Sequence, residues 1–367
     1  MERKLVSVRT IGEVYPIKGK DRVEMVKVDG WTCMVSKADN FKPGDKCVFS
    51  ETDSVFPEKE CWEFLRKYNF RIKTQRFKDA DGNYIYSQGL VVSLKTAESI
   101  TGISKFNVGD DLTEAFKVKQ YEDTKDFEPI KIKSKNPLMK FKWFRDIRNF
   151  LFGINHTREQ FPNEVAKTDE ERIQNCPDRW KMASVWTVTE KVDGQSGTYL
   201  LRRHKGFLKD TFEFVICSRN YKVNDKRTSY YKAAVKYNME KVLKNLIGSH
   251  PWVCIQGEIL GPGIQKNKYK LEDYDLYCFN LIYPEGRIDS MGARLIVEKE
   301  GLKWVPVLGN RTKESFEGKS VDDILKDANG MSVVNPQTRR EGLVFRSADG
   351  IYSFKAVSPE FLIKYDE

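Results

Sequence analysis

The sequence predicts an α+β protein, with a small antiparallel β-barrel ahead of a larger domain of antiparallel sheets and packed helices. Three observations predict it. Short apolar runs with period-two alternation, separated by turn residues, fill the first 120 residues. A basic, structure-breaking connector spans residues 121–180. From residue 181 onward, strand-like runs resume and are interspersed with helix-period segments.

The elements follow in order. Lys4 to Val8 and Val23 to Val28 alternate, or nearly alternate, apolar and polar side chains. Asp29-Gly30 is a hairpin signal ahead of Trp31 to Val35. Phe41 to Asp45 contains Pro-Gly and reads as a turn before Cys47 to Phe49, and Ser87 to Gly89 precedes Leu90 to Val92. Many short strands joined by turns make an OB-like barrel the natural candidate for residues 1–120. Arg71 to Lys78 interleaves cations with aromatics. It reads equally as a grip on a phosphate backbone or as an edge strand guarded by lysines. In the connector, Lys131 to Pro137 breaks structure and Met139 to Phe152 has helical spacing. Thr168 to Asn175 predicts a capped helix, with Thr168 as N-cap, Glu171 completing a capping box and Pro177 ending it. Beyond 181, Trp186 to Thr189, Thr198 to Leu201, Phe212 to Cys217, Trp252 to Gln256 and Tyr274 to Ile282 read as strands. Tyr230 to Ile247 predicts one helix whose apolar face is Ala233, Ala234, Tyr237, Val242, Leu243 and Leu246. Val321 to Ala328 predicts a short helix; Leu343 to Phe345 and Tyr352 to Phe354 complete the sheet.

Bulk properties narrow the function. A formal charge of +10 over 367 residues favours a polyanionic partner. Seven scattered cysteines without a Cys-x-x-Cys pair argue against a zinc site and a disulfide framework, and for a reducing intracellular compartment. No secretory apolar segment follows Met1, and no apolar run is long enough to span a bilayer. His156, His204 and His250 are isolated, so histidine acid–base chemistry is not indicated.

The chemistry concentrates in spaced motifs. Lys191-Val192-Asp193-Gly194 places an amine two residues before an Asp-Gly turn. Ser218-Arg219-Asn220, Gln256-Gly257-Glu258, Phe279-Asn280, Glu341 to Val344 and Ser353-Phe354-Lys355 follow. In this order they resemble the motifs of the covalent nucleotidyltransferases, which include ATP-dependent RNA and DNA ligases and mRNA capping enzymes. The barrel placed in front, with Lys167 to Asn175, is similar to the Deinococcus-type RNA ligases. The resemblance implies an ATP-grasp-like ligase domain at 181–367.

It also implies roles. Lys191 would attack the α-phosphorus of ATP and form a lysyl-AMP phosphoramidate. A neutral amine is required, and fewer than about one unperturbed lysine in a thousand is neutral at pH 7. Neighbouring carboxylates worsen this, and a divalent cation offsets them. Asp193, Glu258 and Glu341 are therefore expected to hold Mg²⁺ or Mn²⁺ through its waters; Glu258 or Asp193 also suits the ribose hydroxyls. Gly194 shapes the turn after the nucleophile. Arg219 suits the 5′-phosphate of the nucleic acid, Phe279 stacking on adenine, Glu190 the adenine edge and Lys355 the α-phosphate. The Lys355 motif lacks the commoner Lys-x-Lys form, which leaves Lys364 either as a second phosphate contact or as a solvated lysine. Arg172 is open between substrate contact and a structural ion pair.

The function implied is an ATP-dependent RNA ligase that joins 5′-phosphate and 3′-hydroxyl ends, at nicks with RNA on the 3′-hydroxyl side, acting as a monomer. The rivals are a capping guanylyltransferase and a DNA ligase. Both usually carry their barrel after the last motif, and only about a dozen residues follow Lys355. An RNA-binding protein with an idle ligase domain is the non-enzymatic rival.

Overall fold

The computed structural model describes residues 4–121 and 159–365. The expected break at Lys131 to Pro137 and helix at Met139 to Phe152 lie outside these residues, as does most of the connector.

In the first domain the strands are β1 (Val6–Pro16), β2 (Val23–Val28), β3 (Trp31–Ser36), β4 (Lys46–Ser50), β5 (Ser54–Val55), β6 (Gln75–Lys78), β7 (Tyr84–Ser87), β8 (Leu90–Ser93) and β9 (Lys119–Gln120), with helix α1 (Leu94–Thr101) after β8. The main sheet is antiparallel in the order β3-β2-β1-β4-β8. Asp29-Gly30 forms the predicted hairpin, pairing Val28 with Trp31, and Asp29 takes the left-handed conformation such a turn requires. A bulge between Ile11 and Glu13 bends β1. The Gln88 N–H donates to the Thr32 carbonyl at 2.8 Å, which draws the start of β8 toward β3 and curls the sheet. Alternation covers both faces. Val26, Val28, Cys33, Cys47 and Phe49 pack on one side, and Val6, Val8 and Val48 pack on the other with Phe56, Trp62 and Leu65.

The basic run divides. Arg71 pairs with Asp53 at 2.6 Å and lies over Tyr121. β6 forms a separate two-stranded hairpin with β7, where Arg76 and Lys78 lie 4.3 and 5.2 Å from the Tyr84 ring. It is therefore not an edge of the main sheet.

The second domain comprises β10 (Val185–Lys191), β11 (Gln195–His204), β12 (Thr211–Cys217), α2 (Ser229–Lys236), α3 (Met239–Leu246), β13 (Trp252–Leu260), β14 (Asp275–Tyr283), β15 (Gly286–Arg287), α4 (Ser290–Lys299), β16 (Lys303–Trp304), β17 (Val307–Thr312), α5 (Val321–Asp327), β18 (Gly342–Ser347), β19 (Ser353–Val357) and α6 (Pro359–Tyr365). One sheet runs β17-β10-β18-β19; the other runs β12-β11-β13-β14-β15, with β16 parallel to β14. Phe345 and Phe354 stack at 4.5 Å in the core of the first. Leu201, Val253 and Ile255 of the second pack with Ala233, Val242 and Leu243 of its helices. The short turn from Lys191 to Gln195 passes the chain from one sheet to the other, so the motif lysine stands at their junction.

Two expected helices differ. Residues 230–247 form two helices, because Asn238 adopts a left-handed conformation while the Tyr237 hydroxyl bonds Asp275. Thr168 to Asn175 is an extended strap with a 3₁₀ turn at Ile173–Asn175. Thr168 caps nothing; its hydroxyl meets Ser196. The acidic side chains that suggested a helix start are drawn outward by cations. Asp169 meets Arg219 and Lys355, and Glu170 meets Arg287 and Arg346. The strap also docks the domains: the Gly30 N–H donates to the Gln174 carbonyl at 2.9 Å, and the Asn175 amide donates to Glu51 at 2.7 Å.

Glu170 anchors the strap to the second domain. It accepts from Arg346 at 3.0 Å, from Arg287 at 3.4 Å and from the Ser353 hydroxyl. Arg346 is 4% exposed, and burial pushes its guanidinium down to about 10 despite Glu170. Glu170→Ala strands that cation, so urea unfolding at pH 7 is expected to show a loss of about 3–5 kcal/mol. A change under 1 kcal/mol would show that solvent reaches Arg346.

Candidate active site

β10 delivers Glu190 and Lys191, and β18 pairs alongside it with Lys191 opposite Gly342. That register sets Glu341 beside the motif lysine: Lys191 Nζ lies 2.6 Å from Glu341 Oε2. Burial pulls the Lys191 ammonium down, but Glu341, Glu258 and Asp193 together outweigh it and hold the amine above the ordinary lysine value. In this state the lysine is a cation.

Gly194 follows where β11 begins to pair with β13. A Cβ there would sit 2.4 Å from the Ile259 carbonyl oxygen, and the Gly194 N–H donates to Glu258 at 3.2 Å. Gly194→Ala must push two backbones apart. Denaturant titration is expected to register a loss of about 1–3 kcal/mol; an unchanged midpoint would show that the turn relaxes freely.

Asp193 and Glu258 face the same amine. Burial, then repulsion from Glu341, pushes the Asp193 carboxyl up to about 6, although Lys268 pairs with it. Burial pushes Glu258 up to about 8; Lys191 opposes this, and Glu341 and Asp193 add to it. The Asp193 N–H donates to the buried Tyr269 hydroxyl at 2.7 Å. These oxygens are hard donors gathered in excess of cations, which suits Mg²⁺ or Mn²⁺. Among the described residues no three His, Cys, Asp or Glu side chains are grouped closely enough to grip an ion directly.

A second cluster meets the strap. Lys355, on β19, donates to Asp169 at 2.6 Å, and the other oxygen of Asp169 lies 2.8 Å from Arg219. The Lys355 N–H donates to the Glu171 carbonyl, beside a parallel bridge between Arg172 and Lys355. Burial brings the Lys355 ammonium down to about 8, against the pull of Asp169. Arg172 reaches the first domain: it pairs with Asp53 at 3.2 Å and lies over Trp31.

The remaining residues lie around these clusters. Glu190 is buried, accepts the Val333 N–H at 2.7 Å and is pushed up by burial. Phe279 is partly buried on β14, with Arg346 5.5 Å from its ring. Lys364 is exposed on α6 and lies over Tyr365; among the described residues no hydrogen bond or ion pair joins it to either cluster. Sequence reasoning missed Asp169, Lys268 and Tyr269 as members of the site. Asp169 was visible in an acidic run that was read as helix capping. Lys268 and Tyr269 carried no signal beyond a Lys-rich segment, because their partners are 75 and 76 residues away.

With the geometry established, comparison with known proteins is informative. An OB-fold domain model matches residues 5–94, and an RNA ligase model matches residues 184–365. No curated protein sequence matches the chain. Among solved structures, Naegleria gruberi RNA ligase with PPi is 29% identical over 100% of this chain and 99% of that one, with a TM-score of 0.77. A single-substitution mutant of that ligase with ATP and Mn is 28% identical over 100% of both chains, at 0.76. Another mutant with AMP and Mn is 29% identical over 99% of both, also at 0.76. Two matching domain models and full-length likeness agree: the chain is an RNA ligase, with an OB-fold domain ahead of its ligase domain.

Proposed function

We propose that this RNA ligase consumes ATP with Mg²⁺ or Mn²⁺ and seals 5′-phosphate to 3′-hydroxyl ends through Lys191. The convergence of Asp193, Glu258 and Glu341 on one amine carries the reading, with Lys191 2.6 Å from Glu341. The Lys191 amine, once neutral, attacks the α-phosphorus. A P–N bond forms, the bond to the β-phosphate oxygen breaks, and pyrophosphate leaves. A 5′-phosphate oxygen then attacks the adenylate phosphorus and releases the lysine. Finally a 3′-hydroxyl oxygen attacks the activated 5′-phosphorus, loses its proton and expels AMP.

Positioning and charge do most of the work. Glu341 orients the amine. Lys355 and Arg219, now sharing Asp169, are the cations for the α-phosphate and the 5′-phosphate. Phe279 and Glu190 serve the adenine ring and its edge, and Gly194 permits the turn. Asp193, Glu258 and Glu341 would hold a divalent cation through water, which when bound neutralises phosphate charge and lowers the proton affinity of Lys191. Arg172 serves structure through Asp53, and Lys364 is a solvated lysine.

The finer reading is a Deinococcus-type enzyme that seals nicks with RNA on the 3′-hydroxyl side and works as a monomer in a reducing compartment. Its domains would be 1–120, 121–180 and 181–367. The +10 charge and the Arg76–Tyr84–Lys78 stack support a nucleic-acid partner. No helix among the described residues is long and apolar enough to cross a membrane. Intact-mass spectra after incubation with ATP or GTP and Mn²⁺ test the core of this. An adduct of one adenylate is expected. A guanylate-only adduct would favour the capping rival, and no adduct would favour an RNA-binding protein. Equal sealing of an all-DNA 3′ end would defeat the nick preference.

A further inference from the structure

Gln265, Lys266, Asn267 and Lys270 all have positive φ, between 45° and 56°, within six residues of the segment that follows β13. Non-glycine residues take that conformation at a cost, and several together need a structure that fixes them. The segment is fixed on every side. The Asn267 side chain bonds Leu271 in both directions, Asn335 bonds the Tyr269 carbonyl, and Lys270 bonds Gln337. What the strained segment presents is Lys268. Its side chain is only 10% exposed, is paired with Asp193, and lies 4.9 and 5.2 Å from the rings of Phe361 and Tyr365 on α6.

We infer that Lys268 is a built-in counter-cation that holds Asp193 in the metal-free enzyme and competes for it with a divalent cation. This rests on the metal reading given above. The acidic set has three carboxylates, and two lysines occupy two of them: Lys191 on Glu341 and Lys268 on Asp193. A hydrated ion needs the carboxylate oxygens as acceptors for its waters, and Lys268 is bonded to one of them. A loading cation therefore competes with the Lys268 ammonium for Asp193, through the shared oxygen and through like-charge repulsion. The pair sets a threshold on metal affinity and keeps Asp193 oriented meanwhile. The two aromatic faces of α6 give the displaced ammonium a place to remain.

Binding of Mn²⁺ alone, followed by the loss of free-ion EPR signal, tests this without turnover. Lys268→Met keeps an apolar stem against Phe361 and Tyr365 but removes charge and donor. Lys268→Gln removes the charge and shortens the side chain but keeps an N–H donor, and Lys268→Arg retains the charge. Met and Gln are expected to tighten Mn²⁺ binding about tenfold or more, the scale of one charge-assisted hydrogen bond the ion no longer breaks; Arg should bind as the wild type does. Two uncharged variants rather than one guard against a single misfolded protein. Equal or weaker binding in both folded variants overturns the inference while leaving the metal reading intact. If no variant nor the wild type binds Mn²⁺, the metal reading falls and takes this inference with it.

Discussion

Lys191→Ala is expected to abolish both the adenylate adduct and sealing, a loss of about 10⁴-fold or more, as when the nucleophile of another covalent catalyst is removed. The geometry explains why no neighbour substitutes. Lys355 is held by Asp169 and by its backbone bond to the strap, and Lys268 is held by Asp193 and α6. Neither has the β10 position that sets Lys191 against Glu341. Supplying a pre-adenylylated 5′ end bypasses the first two transfers. Lys191→Ala should therefore seal that substrate far better than it seals a plain 5′-phosphate. Equal defects on both substrates would mean that Lys191 serves binding or structure and that another group forms the adduct.

Lys355→Ala is expected to lower single-turnover adenylylation by about 10²–10³-fold, the usual cost of removing one preorganised donor to transition-state charge. It also removes one of the cations that Asp169 shares, while Arg219 still pairs with the same carboxylate. The pH profile separates chemistry from architecture. The Lys355 ammonium, brought down to about 8 chiefly by burial, loses its charge as pH rises through that value. Lys191 works in the opposite direction, since it must shed a proton to attack. The wild-type rate should therefore rise and then fall, with the alkaline limb near pH 8. Lys355→Arg retains charge well above that pH and should move the alkaline limb upward even if its maximal rate is lower. An unmoved limb would show that Lys355 does not set it. The linkage sign is also fixed: the folded value lies below that of the unfolded lysine, so the unfolded chain binds more protons between pH 8 and about 10.4. Burial of Lys355 therefore becomes less costly as pH rises through that window.

Local pattern carried most of the fold into view. Val23 to Val35 reads as a hairpin because near-alternating strands flank an Asp-Gly turn in one short stretch, and it forms one. Thr168 to Asn175 failed for the same reason. A capping box is a local signal, and here Asp169 and Glu170 were committed to Arg219, Lys355, Arg287 and Arg346, all distant in sequence. Tyr230 to Ile247 had a continuous apolar stripe, yet Tyr237 was claimed by Asp275 across the fold.

Sequence pattern was enough for the class of protein and for the order of its candidate motifs. Hydrophobic period, turn residues and spaced motifs are properties of neighbours along the chain, and they mark Lys191, Asp193, Glu258, Glu341 and Lys355 as candidates. Tertiary structure alone decided which charge faces which. It put Lys268 on Asp193, Asp169 between Lys355 and Arg219, and Arg172 on Asp53 of the barrel. Charges interact through space over a few ångströms, whatever the number of residues between them, and only burial makes such pairs strong enough to matter.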